Sequence, residues 1–313
     1  MIADRFIDRT IAKLAGSAAG PTVIFVAGMH GNEPGGIEAA RRVLERVRLD
    51  RSEIHGQVLA VRGNVRALAA KRRYLARDLN RLWTPDRVSA ARTATSDPFT
   101  TPTMDGAELS ELAELADLFD RAIAGARGSV FVLDLHTTSA AGFPFAVVGA
   151  TPAHRELAAR FPMPGIVGVE ELLEGVLTRY LSGKGCITLA IEGGQTDSPD
   201  TLANLEAVVT IALATTGAVD PTQLPSLAAA QATLARARGD LPQQIEVISR
   251  HPVTPAHQFR MEPGFANIQR VTAGTLLARD RGGEIRAPAD GLVLLPLYQP
   301  QGSDGFFFGR ESA

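Results

Sequence analysis

The chain has 313 residues, 45% of them apolar and 21% charged, with a formal net charge of −2. That composition belongs to a globular protein with a substantial core and excludes a disordered chain. The near-neutral charge argues against a polyanion such as nucleic acid as partner, and the length suits one large domain plus a small one.

The N-terminal MIADRFIDRTIAKL carries charges where a signal peptide needs an apolar centre. Short apolar runs then recur at 22–27, 57–61, 130–135, 145–148 and 186–191. They are short, several are rich in β-branched residues, and they alternate little, which is how strands buried on both faces read. Between them lie helical stripes. In 36–47 the stripe is Ile37, Ala40, Val43, Leu44 and Val47; in 108–124 it is Leu109, Leu112, Leu115, Leu118 and Phe119. Residues 84–105, rich in Thr, Pro, Ser and Asp, read as a surface loop or lid-like excursion. Ser198-Pro199 is a start signal for a helix over 200–215. The alternation of strands and helices predicts an α/β sheet covered by helices.

Past residue 220 the texture changes. An Ala-rich helix over 226–238 is followed by QIEVISRHPV, GFANIQRV, GTLLARD, GEIRAP, GLVLLPL and GFFFGR, punctuated by Gly and Pro. This is the pattern of a small all-β unit. The expected division is a catalytic domain over 1–240 and a C-terminal β domain over 241–313. A single cysteine, Cys186, allows no intrachain disulfide and reads as a core thiol in a reducing compartment. The longest apolar stretch, about 207–219, contains Thr210, Thr215 and Thr216 and is too short for a membrane span. The expectation is a cytoplasmic protein that binds neither membrane nor nucleic acid. Its oligomeric state is left open, a homo-oligomer included.

Ligands of open α/β sheets bind outside the carboxyl ends of the strands. The first run ends in Gly28-Met29-His30-Gly31-Asn32-Glu33, the third in Asp134-Leu135-His136-Thr137-Thr138, and the fifth in Glu192-Gly193-Gly194-Gln195. Three strands thus deliver His30, Glu33, His136 and Glu192 to one edge. Two imidazoles and a carboxylate form a known hydrolytic zinc set, with one position left for water. Asp134, two residues before His136, should face the same side and accept the second ring N–H of a ligand histidine. Taken singly, a histidine after a strand is an ordinary loop residue, and Glu192 an ordinary solvated carboxylate. His55, His154, His251 and His257 have no comparable context and read as surface or structural.

Arg66, Lys71, Arg72, Arg73, Arg77 and Arg81 form a local basic cluster with only Tyr74 and Trp83 nearby. A charge run is ordinarily a solvated helix face. Within RRYLARDLNRLW, however, Arg73, Asn80 and Arg81 would make a carboxylate anchor, because a guanidinium grips a carboxylate with two parallel hydrogen bonds.

GMHGNEPGG, RRYLARDLNR, DLHTT and AIEGGQ, in this order, together with the C-terminal PLYQPQGSDGFFF, resemble the succinylglutamate desuccinylase/aspartoacylase family, a relative of the zinc carboxypeptidases. The resemblance runs from about residue 20 to the end. It implies a mixed, mostly parallel sheet flanked by helices and one Zn2+ ion. His30, Glu33 and His136 match the zinc ligands, Glu192 the general base, and Arg73 the arginine that stabilises the oxyanion. Asn80 and Arg81 match the pair that binds the substrate α-carboxylate, and Tyr298 the C-terminal tyrosine that closes over the substrate. One position departs. Where aspartoacylase has an arginine about ten residues before the base, Ser182 stands here, with Arg179 and Lys184 out of register. That speaks against N-acetylaspartate, and equally succinylglutamate, as substrate. The segment AGTLLARDRGGEIRAPADGLVLLPL also resembles biotinyl/lipoyl half-barrels but lacks an attachment lysine.

The expected function is zinc-dependent hydrolysis of the amide bond of an N-acyl amino acid or similar small, carboxylate-bearing acyl amide. Two alternatives stand beside it: a metallocarboxypeptidase acting on short peptides, and a metal-stabilised binding protein without turnover.

Overall fold

The computed structural model describes residues 7–95 and 106–312. In chain order the elements are β1 (Thr10–Ala15), β2 (Ala18–Ala27), α1 (Gly35–Leu49), β3 (His55–Arg62), α2 (Val65–Ala70), α3 (Pro85–Thr95), α4 (Ala107–Ala124), β4 (Val130–Thr138), β5 (Phe145–Val148), α5 (Pro152–Ala158) and β6 (Gly165–Val167). They continue with α6 (Val169–Leu172), α7 (Leu177–Ser182), β7 (Ile187–Gln195), α8 (Pro199–Thr215), α9 (Leu227–Arg238) and β8 (Gln244–Pro252). The last are β9 (Arg260–Met261), β10 (Gln269–Val271), β11 (Leu276–Asp280), β12 (Gly283–Arg286), β13 (Gly291–Leu294) and β14 (Asp304–Glu311). No helix among the described residues is long and apolar enough to cross a membrane.

An 11-stranded mixed sheet runs β1-β3-β2-β4-β7-β5-β6-β8-β14-β13-β10. Its centre, β3-β2-β4-β7, is parallel, and Ala27 is level with Arg62 on one side and Leu135 on the other. The absence of alternation in β2 has a direct cause. Val23, Phe25 and Ala27 pack into the core shared with α1, α8 and α9, whereas Ile24 and Val26 pack into the opposite core against α4. A strand covered on both faces gains from apolar side chains at every position.

The sequence boundary at 240 falls between α9 and β8. There the chain returns to the same sheet: β8 pairs in parallel with β6, and β14, β13 and β10 follow antiparallel. A separate antiparallel sheet, β12-β11-β9, lies beside them. The Phe triplet of β14 shows how the two are joined. Phe307 packs into a core with Phe145, Val147 and Ile166 of β5 and β6, while Phe306 and Phe308 pack into a core with Met261, Leu277 and Ala278.

One expectation needs correcting. Within 84–105, read as a loop, residues Pro85–Thr95 are a helix that buries Val88 and Ala91. Proline is at home at the first helical position, and Thr84 Oγ1 accepts the Arg87 amide. The polar composition hid a narrow stripe of small apolar residues. The remainder of that segment, 96–105, lies outside the described residues.

Candidate active site

At the carboxyl end of β2 the backbone turns sharply. Gly28 has φ +70°, where a side chain would be strained, and a Cβ on Gly31 would lie 2.1 Å from the Ala67 carbonyl carbon. This tight packing against α2 brings His30 and Glu33 over the sheet edge, and the Glu33 amide donates to the His30 carbonyl at 3.1 Å. His136 projects from the end of β4, and its register partner on β7 is Glu192.

The ligand atoms of His30, Glu33 and His136 lie within 4.8 Å of one another, and all three residues are buried. His30 Nδ1 is 2.8 Å from Glu33 Oε1, and His136 Nδ1 is 3.1 Å from Glu33 Oε2. Burial alone would raise the Glu33 carboxyl, but the two imidazoles hold it well below its ordinary value. His30 Nδ1 is a buried nitrogen with no hydrogen-bond partner, as is Glu192 Oε2 among the oxygens. Buried polar atoms of a native structure find partners. Imidazole nitrogens and a carboxylate aimed at one point, with orphaned lone pairs, form a donor set that fits a zinc-like dication.

The second nitrogen of each histidine faces an aspartate. His136 Nε2 is 2.9 Å from Asp134 Oδ2, an ionic approach rather than an aligned hydrogen bond, and His30 Nε2 is 3.3 Å from Asp78 Oδ1. Burial acts to lower His136, yet the charges of Asp134 and Glu33 raise it well above its ordinary value. Asp134 was expected from its place two residues before His136. Asp78 was missed, although it is the one acid inside a basic run. Its carboxylate also accepts from Arg73 Nη2 at 3.2 Å and from the Asn80 amide at 2.9 Å. Arg73 in turn donates to Glu33 Oε1 at 3.1 Å. These contacts hold Asp78 well below its ordinary value against the opposing effect of burial.

Glu192 has a different environment. Burial, opposed by His136 and reinforced by the charge of Glu33, pushes its carboxyl up to about 7. A carboxylate poised near neutrality beside a candidate metal centre is suited to taking and returning a proton.

The basic segment is held from below by Glu108, 1% exposed in the first turn of α4. It accepts the amides of Leu75, Ala76 and Arg77 and an Asn64 side-chain N–H. Arg66 pairs with buried Glu111 at 2.9 Å. Acids thus hold Arg66, Arg73 and Arg81 and the backbone of the segment, while Lys71, Arg72 and Arg77 are exposed, which a count of charges along the sequence does not reveal.

Arg73, Asn80, Arg81 and Glu192 line one pocket with the histidines and Glu33. Arg81 donates to Asp304 Oδ2 at 2.7 Å, and Asp304 also accepts from Arg250. One carboxylate shared by two guanidinium groups leaves a net positive charge there. The side-chain oxygen of Asn80 accepts the Leu177 amide at 2.9 Å and so positions the start of α7. Tyr298 stands apart. Its hydroxyl donates to the Glu262 carbonyl at 2.7 Å and accepts the Phe265 amide at 2.9 Å, and its neighbours Leu297 and Gln299, not Tyr298, line the pocket. Ser182, Arg179 and Lys184 are not among the lining residues either. Asn267, another residue missed in the sequence, ties the C-terminal strands to the site: its amide donates to Thr138 Oγ1 at 3.1 Å and its carbonyl oxygen accepts the Leu295 amide.

Fold and site together define an α/β protein with a candidate metal centre at the carboxyl edge of its parallel strands. The description "succinylglutamate desuccinylase/aspartoacylase catalytic domain" matches residues 19–232, and the chain belongs to that family. Solved structures share the fold. A succinylglutamate desuccinylase/aspartoacylase from Rhodobacter sphaeroides is 17% identical, with 96% of this chain and 88% of that chain covered and a TM-score of 0.68. The product-bound ectoine utilization protein EutE (DoeB) from Ruegeria pomeroyi is 18% identical, with 94% and 87% covered and a TM-score of 0.64. A succinylglutamate desuccinylase from Vibrio cholerae is 16% identical, with 96% and 84% covered and a TM-score of 0.64. No curated protein matches the chain in sequence.

Proposed function

We propose that this protein is a zinc-dependent deacylase that hydrolyses the amide bond of a small N-acyl amino acid. The observation that carries the reading is the convergence of His30, Glu33 and His136, from two strand ends, on one point beside Glu192. A dication held by these three residues would lower the pKa of a water and polarise the acyl carbonyl.

Glu192 removes the proton from the attacking water and afterwards hands it to the leaving amine. Arg73, fixed by Glu33 and Asp78, stands ready to offset the negative charge that grows on the carbonyl oxygen. Asp134 and Asp78 orient the two imidazoles from behind. Arg81, with the amide N–H groups of Asn80, holds the substrate α-carboxylate so that the scissile carbon is positioned before reaction.

We assign residues 241–313 to a cap over this site. The assignment is supported by the loop between β13 and β14, which contributes Leu295, Leu297 and Gln299 to the pocket, and by Asp304 at the start of β14. These residues enclose the pocket on the side of the C-terminal strands, which disfavours a long peptide.

The test is a panel of acetyl, succinyl and formyl amino acids beside short peptides, assayed with zinc-loaded protein. Release of the free amino acid from an acyl substrate supports the reading. Cleavage of peptides alone would replace it with a carboxypeptidase, and zinc binding without any turnover would replace it with a binding protein.

A further inference from the structure

The pocket continues past the residues given roles above. Ala190 lies two residues before Glu192 on β7 and so shares its face of the strand, and its register partner on β5 is Val147. Both line the pocket. Two residues of strand span about 7 Å, so a slot leads from Glu192 along the sheet for the length of an amino-acid side chain. Its walls are apolar: Val147, Val169, Leu173, Val176 and Phe307. At its far side stand Glu170, on α6, and Thr178, on α7.

Glu170 is 6% exposed, and its side-chain partner among the described residues is the Thr178 hydroxyl, which donates to it. No ion pair to Glu170 forms among the described residues. The next cation, Arg179, is turned to the backbone carbonyls of Glu170 and Leu173 at 3.3 and 3.4 Å. His154 stands nearby, but its Nδ1 is held by Thr151 Oγ1 at 2.6 Å. Burial pushes the Glu170 carboxyl above its ordinary value, against the Thr178 hydrogen bond. A buried carboxylate with no ion pair is costly, and an entering cation offsets that cost.

We infer that Glu170 selects the substrate side chain, and that the N-acyl amino acid taken by this pocket carries an amine or guanidine on an aliphatic stem. The stem fills the apolar slot, the cation meets Glu170 and Thr178, and the α-carboxylate stays with Arg81. An acidic side chain in the same slot would face Glu170 and be repelled, and no arginine lines that part of the pocket to receive it. The inference rests on the deacylase reading for its orientation, with the amide at Glu192.

The experiment compares Nα-acetyl-lysine, its uncharged analogue Nα-acetyl-norleucine, and N-acetylglutamate on zinc-loaded wild type and Glu170→Gln. Charge-assisted contacts of this kind give roughly 10- to 100-fold discrimination. Wild type is expected to favour lysine over norleucine by that factor in kcat/KM, with glutamate slowest, and Glu170→Gln to bring the lysine-to-norleucine ratio toward one. Equal turnover of lysine and norleucine by wild type, or an unchanged ratio in Glu170→Gln, overturns the inference while leaving the deacylase intact. If no acyl amino acid is hydrolysed, the deacylase reading fails. Calorimetry of free lysine and norleucine on wild type then decides the charge preference alone: tighter lysine binding upholds it, and equal or absent binding removes it. Calorimetry also covers the case in which Glu170→Gln does not fold.

Discussion

The two ends of the pocket are built differently. At the metal end, the candidate ligands and Arg73 have partners within the chain: His30 faces Glu33 and Asp78, His136 faces Glu33 and Asp134, and Arg73 bridges Glu33 and Asp78. At the substrate end, Asp304 is divided between Arg81 and Arg250, and Glu170 has a hydroxyl in place of a cation. A network with complete pairing is preorganised and resists change. One with incomplete pairing leaves charge for a ligand to complete. Substitutions at the metal end should therefore abolish chemistry, whereas those at the substrate end should alter which molecule is accepted.

The sharpest way to break this contrast is at Glu192. Glu192→Gln is expected to lower kcat by about 10²- to 10⁴-fold while zinc content stays at wild-type level. Steady-state kinetics beside metal analysis checks it, and near-normal turnover would remove Glu192 from its role. Asp78→Asn should weaken zinc binding by about 10- to 100-fold, because the imidazole of His30 loses its orienting charge. Competition with a chelator measures this, and unaltered affinity would mean that Asp78 serves only Arg73 and the turn. Arg81→Ala, at the other end, should raise KM by roughly tenfold with a smaller effect on kcat. An unchanged KM would detach Arg81 from the substrate carboxylate.

The pH profile supplies a gentler test. Glu192 must be ionised to accept a proton, so kcat/KM falls as the pH drops through its pKa. Burial sets that value at about 7 in the metal-free chain, and the positive charge of a bound dication would pull it lower. The acid limb is thus expected below pH 7. A limb that persists unchanged in the residual activity of Glu192→Gln would belong to another group.

The readable parts of the sequence were those where one physical requirement governs a continuous stretch. A strand covered on both faces must be apolar throughout, and it stops where the polar edge begins. This made β2, β4 and β7 visible, and with them His30, Glu33, His136 and Glu192. Asp134 followed from the two-residue repeat of a strand. The residues that escaped notice are those whose partners come from elsewhere in the chain. Glu108 opens a helix whose apolar stripe alone is legible in the sequence, yet it holds three amides of the Arg73 segment. Asp304 and Asn267 sit among turn-forming residues and gave no signal. Tyr298 followed its motif, but the structure gives its hydroxyl two backbone partners outside the pocket.

By itself, then, the sequence determined the layered α/β plan and the residues that end its parallel strands, because side-chain periodicity and burial act locally along the chain. Only the tertiary structure decided the electrostatic state of the pocket. It placed Asp78 behind His30, gave Asp304 to Arg81, and left Glu170 buried without an ion pair among the described residues. Such pairings depend on distances between residues remote in sequence, and the energy of a charge in a low-dielectric interior is set by its nearest opposite charge.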